Sequence, residues 1–124
     1  HPIEKPETVA SAIRVGNPAS WKSAVQARDE SGGDINTVSD EEILDAYKLM
    51  ANHEGIFCEP ASAAGVAGLL KCSKNDLQLE NKKVVCVITG TGLKDPDLVD
   101  QIKPVSMEDF PAKLDVLERA LNLV

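Results

Sequence analysis

Ile43, Tyr47 and Met50, with Leu44 and Ala51 beside them, recur at helical spacing and predict a helix with one buried face. Ser39-Asp40-Glu41-Glu42 precedes it, so the serine caps the helix and the glutamate three residues on completes a capping box; Gly55 supplies the stop. Ala61–Leu70 is built almost wholly of small or aliphatic residues behind Pro60, which suits a first helical position. Such a helix can approach a sheet or another backbone closely, and it is expected to be internal. Trp21 to about Asp29 reads as a further helix capped by Ser20, with Trp21, Ala24, Val25 and Arg28 on one face and Ser31-Gly32-Gly33 ending it. Near the end, Ser106-x-x-Asp109 is another capping pattern, followed by Phe110, Leu114, Leu117 and Leu121 on one stripe, and Pro111 delays the regular part of that helix.

Two segments have strand character. Lys83–Ile88 is a continuous apolar run, as in a parallel strand covered on both faces, and Thr89-Gly90-Thr91-Gly92 ends it. Ile35–Val38 is brief but β-rich. Pro2, Pro6, Gly16 and Pro18 make residues 1–19 a turn-rich lead-in that admits a short helix over Val9–Arg14, and residues 97–124 read as a tail with a helix. The order helix, strand, helix, helix, strand, helix predicts one α/β layered structure.

Composition narrows the function classes. A chain of 124 residues with 43% apolar and 27% charged positions is one domain of ordinary globular make-up. Its 13 basic and 20 acidic residues leave a net charge of -7, which disfavours a nucleic-acid partner. No membrane anchor is expected, because Ser62, Gly65 and Gly68 interrupt Ala61–Leu70, which falls far short of the roughly 20 residues a bilayer requires. The first residues lack a signal-peptide core, and His1 in place of Met points to a start made by cloning or processing. Cys58, Cys72 and Cys86 lack metal-ligand spacing and sit in mainly apolar surroundings, so they read as buried thiols in a reducing compartment, cytoplasm or organelle stroma.

The sharpest candidate for chemistry is the loop leaving the apolar run, Thr89-Gly90-Thr91-Gly92-Leu93-Lys94-Asp95-Pro96. Ligands of parallel α/β proteins gather at the carboxyl ends of strands, and paired glycines let backbone amides approach a ring or phosphate. The alternative is a glycine-rich turn with an exposed ion pair of Lys94 and Asp95. The loop lacks the pattern of a phosphate-binding Walker motif and is a poor dinucleotide fingerprint. Glu59, in Glu59-Pro60-Ala61-Ser62-Ala63-Ala64, either serves the helix start through its dipole or faces a ligand. His1 and His53 have no nucleophile paired with them by motif, and Asp40-Glu41-Glu42 is explained by capping, so neither a hydrolytic nor a metal site is assigned.

Taken together, Thr8-Val9-Ala10-Ser11-Ala12-Ile13-Arg14-Val15-Gly16-Asn17-Pro18-Ala19-Ser20-Trp21, Ser39-Asp40-Glu41-Glu42-Ile43, Glu59-Pro60-Ala61-Ser62-Ala63-Ala64 and the loop Thr89–Pro96 resemble, in this order, the carboxyl-terminal third of threonine synthases. These are pyridoxal-phosphate enzymes of the tryptophan-synthase-β-like fold. The two most specific pieces are Gly-Asn-Pro-Ala-Ser-Trp and Gly-Leu-Lys-Asp-Pro. The resemblance implies a layered fragment of a parallel-sheet fold and, in the complete enzyme, conversion of O-phosphohomoserine and water to threonine and phosphate. It implies that the Thr89 hydroxyl meets the pyridine nitrogen of the cofactor, that Gly90 and Gly92 leave room for the ring, and that Glu59 begins a helix close by. Asn17 and Ser20 are implied at the mouth of the site, in the vicinity of the substrate.

The family's Schiff-base lysine and phosphate-binding glycine loop have no counterpart here, and Lys94 belongs to a different family motif. No catalytic residue is therefore assigned within this chain. The expectation is a carboxyl-terminal fragment of a larger enzyme, inactive alone, binding pyridoxal phosphate weakly or not at all. Self-association or a homo-oligomer is expected through surface the missing part would cover. The alternatives are a fragment of a threonine or serine dehydratase-like enzyme, or a non-catalytic binding or assembly module reusing the scaffold.

Overall fold

The computed structural model describes residues 1–74, 79–102 and 109–122. Five helices form there: α1 (Trp21–Ser31), α2 (Asp40–Leu49), α3 (Pro60–Lys74), α4 (Pro96–Ile102) and α5 (Leu114–Ala120). Tight 3₁₀ turns cover Ser11–Ile13 and Gly92–Lys94, and a π-helical turn, Met50–Glu54, prolongs α2.

The start of α2 is the one read from sequence. Ser39 Oγ accepts the Glu42 N–H at 3.2 Å, and the Ser39 N–H donates to Glu42 Oε2 at 2.7 Å, closing the capping box. Gly55, at φ 66°, ends the helical run in the left-handed conformation that only glycine adopts cheaply. Ile43, Ala46, Tyr47 and Met50 of α2 and its continuation form the core with Ala63 and Ala67 of α3, Cys58 and Ala10. Alanines on α3 remove bulk from the contact, so two helices pack closely there. Lys71 of α3 donates to Glu42 Oε2 and to the Thr37 carbonyl, both at 3.1 Å, and so ties the capping box to the neighbouring helix. The lead-in is held by Asp40, whose carboxylate accepts from the Thr8 hydroxyl and from the Val9 N–H.

Several expectations are corrected. Ser20 makes no side-chain cap on α1, because its backbone (φ −102°, ψ 21°) is not in the extended conformation that aims a capping oxygen at the first turn. α1 buries no residue, and Trp21 is 51% exposed beneath the Lys22 ammonium, since no described element packs over that face. The Val9–Arg14 helix is reduced to the single turn Ser11–Ile13. α3 runs on to Lys74 and is internal on one side only: Ser62, Ala63 and Ala67 are buried, while Gly65 is exposed.

Neither segment of strand character is paired among the described residues. From Ile35–Val38 only Val38 reaches the core, and from Lys83–Ile88 only Ile88 does. Val85 and Val87 are 87% and 74% exposed. A strand is stabilised by the ladder of a neighbour, and the one bridge among the described residues is antiparallel, between Cys58 and Thr91. The same exposure overturns the expectation of three buried thiols: Cys58 is buried, Cys72 half-buried and Cys86 exposed.

In the tail, Ser106 lies outside the described residues. α5 begins at Leu114, three residues after Pro111, and its stripe is exposed, with Leu114 73% and Leu121 65% accessible. α4 was not anticipated; its signal is Asp95-Pro96-Asp97, a proline at the first helical position with an acid in the first turn. No helix among the described residues is long and apolar enough to cross a membrane.

Candidate functional site

The Cys58–Thr91 bridge sets the geometry of the site. The Gly92 N–H donates to the Phe57 carbonyl at 3.1 Å and the Glu59 N–H to the Gly90 carbonyl at 3.0 Å, so the loop that follows Ile88 lies against the start of α3. Pro60 needs no N–H at the helix start, and the Glu59 carbonyl accepts the Ser62 N–H at 3.0 Å as α3 begins.

Ser62 is the hub of this contact. Its Oγ accepts the Thr89 N–H at 3.1 Å and the Gly90 N–H at 2.7 Å, and it lies 2.8 Å from Thr89 Oγ1. The serine is buried and the threonine residue exposed, so a buried hydroxyl holds one at the edge of the surface. Ser62 was quoted in the sequence only as part of a motif and not as a site residue. The available signal was a hydroxyl within an otherwise small and apolar helix.

Glu59 carries the buried charge of the site. Its side chain is 6% exposed and lies 3.3 Å from Lys94 Nζ, so Lys94 pairs with Glu59. Asp95 instead accepts from the Ser11 hydroxyl at 2.7 Å, which corrects the alternative of a Lys94–Asp95 ion pair. The Glu59 carboxylate occupies the space beside the Gly90 α-carbon, where a methyl group would collide with Oε1. Beside Gly92 that space is filled by the Phe57 ring, which meets Tyr47 edge-on at a centroid distance of 6.5 Å. The room these glycines provide is therefore taken, in this chain, by a carboxylate and an aromatic ring.

The floor under the loop is electrically quiet. Burial pushes the Cys58 thiol above its ordinary pKa, and burial likewise raises the Tyr47 phenol, with Cys58 and Asp95 adding to it. Both stay neutral near pH 7. Thr89, Gly90, Gly92 and Glu59 are thus brought together with Ser62 and Lys94. Asn17 and Ser20 are exposed, and Asn17 lines a separate cleft with His1, Pro2, Gly16, Pro18 and Trp21. Among the described residues no hydrogen bond joins either of them to the Thr89 loop. His53 sits exposed on the π-helical turn. Among the described residues no group of three or more His, Cys, Asp and Glu side chains is arranged to hold a metal ion. The arrangement offers a neutral hydroxyl held by a buried serine, beside a carboxylate that already has its cation.

Comparison with known proteins gives this geometry a family. Residues 1–90 match the model of the pyridoxal-phosphate dependent enzyme family. The chain is similar to a threonine synthase of Mycobacterium leprae, 49% identical over 123 residues, which are 99% of this chain and 34% of that protein. It is 57% identical over 100 residues to one from Synechocystis, covering 81% of this chain and 26% of the relative, and 55% identical over 98 residues to one from a Bacillus strain, covering 79% and 28%. The chain thus spans about a quarter to a third of the length of these relatives. With the family match running from the lead-in through α3 to the Ser62–Thr89 contact, the chain belongs to the pyridoxal-phosphate-dependent enzyme family.

Proposed function

We propose that this chain is the carboxyl-terminal portion of a threonine synthase, whose complete form converts O-phosphohomoserine and water to threonine and phosphate. The similarity to threonine synthases along nearly the whole chain carries this function. In the complete enzyme the Lys83–Ile88 segment is a strand of a parallel sheet whose other members lie in the remainder of the protein; its exposed valines support that placement. The same apolar surface supports a homo-oligomer, or self-association of the chain alone.

The residues present fit one end of pyridoxal phosphate. When bound, that cofactor withdraws electrons from the amino-acid substrate. Thr89 offers a neutral hydroxyl, which suits the pyridine nitrogen without forcing it to stay protonated as a carboxylate would. Gly90 and Gly92 let the loop lie close against Glu59 and Phe57, and the Glu59–Lys94 pair braces it there. Asn17 and Ser20 belong to the substrate's vicinity in the complete enzyme. The site is for a small amino-acid substrate, and neither nucleic acid nor a membrane is its partner.

Assays of the complete enzyme with O-phosphohomoserine and with threonine test the assignment. Turnover of the first supports it, while elimination from threonine alone identifies a dehydratase. In that enzyme Thr89→Ala lowers turnover by more than it lowers stability, since the change removes an exposed hydroxyl and no core group. Unchanged kinetics would remove Thr89 from the site.

A further inference from the structure

We infer, building on that function, that Ser62 is a positioning residue that makes the Thr89 hydroxyl a hydrogen-bond donor toward the cofactor ring. The assignment follows from counting protons. A serine hydroxyl has one proton to give and two lone pairs to receive. Both lone pairs of Ser62 Oγ are used, by the Thr89 N–H at 3.1 Å and the Gly90 N–H at 2.7 Å. The 2.8 Å contact between the two hydroxyls is therefore bridged by the proton of Ser62, and Thr89 Oγ1 is the acceptor in it. The proton of Thr89 is left to point away from Ser62, on the exposed side of the loop.

The polarity runs one way along the chain of bonds. Two backbone amides polarise the Ser62 O–H, and Ser62 in turn polarises the Thr89 O–H, making it a stronger donor and a poorer acceptor. A hydroxyl so prepared selects a ring atom with a free lone pair. It discriminates against a protonated ring nitrogen and against a ring carbon at that position. Thr89 alone, free to rotate, would accept or donate equally. Ser62 touches neither ring nor substrate and acts only through Thr89 and the loop amides.

The test uses the complete apoenzyme and two probes, pyridoxal phosphate and its 1-deaza analogue, in which the ring nitrogen is replaced by C–H. Binding of each is followed by fluorescence quenching, with no turnover involved. The unmodified protein and Thr89→Ser should prefer pyridoxal phosphate by about tenfold, the worth of one good hydrogen bond. Thr89→Val and the double variant should show a ratio near one, and Ser62→Ala a ratio between that and the parent's, because Thr89 freed from Ser62 no longer has its proton directed at the ring. Ser62→Cys, which puts a weak donor and acceptor in that place, serves if the alanine variant fails to fold, and it too should show the reduced preference. A merely structural serine would weaken both probes equally and leave the ratio intact, which would overturn the inference while leaving the function standing. An unmodified enzyme that binds neither probe would overturn both.

Discussion

Lys94 Nζ stands 3.3 Å from Glu59 Oε1, with the lysine side chain 58% exposed and the glutamate 6%. The pair is lopsided: the carboxylate has left water and the ammonium has not. Removing the exposed partner therefore exposes a mismatch in the buried one. Lys94→Ala should destabilise the fold by about 1–2 kcal/mol in urea unfolding, a figure reduced from that for fully buried pairs because water reaches the lysine. Adding Glu59→Gln should recover part of the loss. Equal stability of Lys94→Ala and the parent would show that the pair carries nothing.

Gly90 is tied to the same carboxylate. Gly90→Ala places a methyl group against Glu59 Oε1 and Lys94 Nζ. Glu59 is held by the buried start of α3 and cannot swing out without breaking its ion pair. A cost of about 1–3 kcal/mol is expected from overpacking, read as a lower midpoint in denaturant. A midpoint within error of the parent would show that the carboxylate moves freely.

The capping box makes a pH-dependent contribution. The Ser39 N–H holds the Glu42 carboxyl below its usual range, with the Lys71 ammonium next. Because the folded value is the lower one, this contribution is complete above the unfolded pKa of about 4.3 and is lost as pH falls through the folded value. Ser39→Ala removes the Oγ acceptor but keeps the backbone N–H, so it should cost about 1 kcal/mol at either pH, whereas Glu42→Ala should destabilise less below about pH 4 than at pH 7, because the carboxylate of the parent is then protonated. Unfolding curves at pH 7 and pH 3.5 check the difference.

The thiols should react in the order of their exposure. Cys86 is exposed, Cys72 half-buried and Cys58 buried. At pH 8 a disulfide reagent should label Cys86 first and Cys58 last, the latter on the timescale of unfolding. Burial raises the Cys58 pKa, so its contribution to stability is complete below the unfolded thiol value of about 8.5 and lost as pH rises through the folded value. Rapid labelling of Cys58 in the native chain would contradict its place in the core.

Val85 and Val87 should make the isolated chain self-associate. Both are largely exposed on a segment without a ladder partner among the described residues, the arrangement that natural edge strands avoid with charge. Light scattering is expected to rise with concentration, and Val85→Lys with Val87→Lys to suppress the rise. A concentration-independent monomer in the parent chain would refute it.

What the sequence disclosed depended on whether its signal was local. The Ser39 capping box, the Ile43–Tyr47–Met50 face, Pro60 at the head of α3 and Gly55 at the end of the π-helical turn all follow from residues within a few positions of one another. The loop Thr89–Pro96 and Glu59 were legible as a pair of motifs. That they meet was not, because the bridge joining them spans distant positions. Ser62 was missed for that reason: its two partner residues, Thr89 and Gly90, lie 27 and 28 residues away. Ser20 failed as a cap because residue type cannot report a backbone angle. Lys83–Ile88 is unpaired among the described residues because strand formation depends on a neighbour, and the apolar run announces only that one is required.

The 27-residue span between Ser62 and Thr89 also governs when the site can come into being. α3 leaves the ribosome well before the segment that completes it, and its interior hydroxyl must wait while that stretch of chain is synthesised and closes back upon it. Closing a loop of this length costs only slowly growing entropy. The delay is kinetic: in a chain that folds as it is made, α2 can collapse on α3 before the Ser62–Thr89 contact closes.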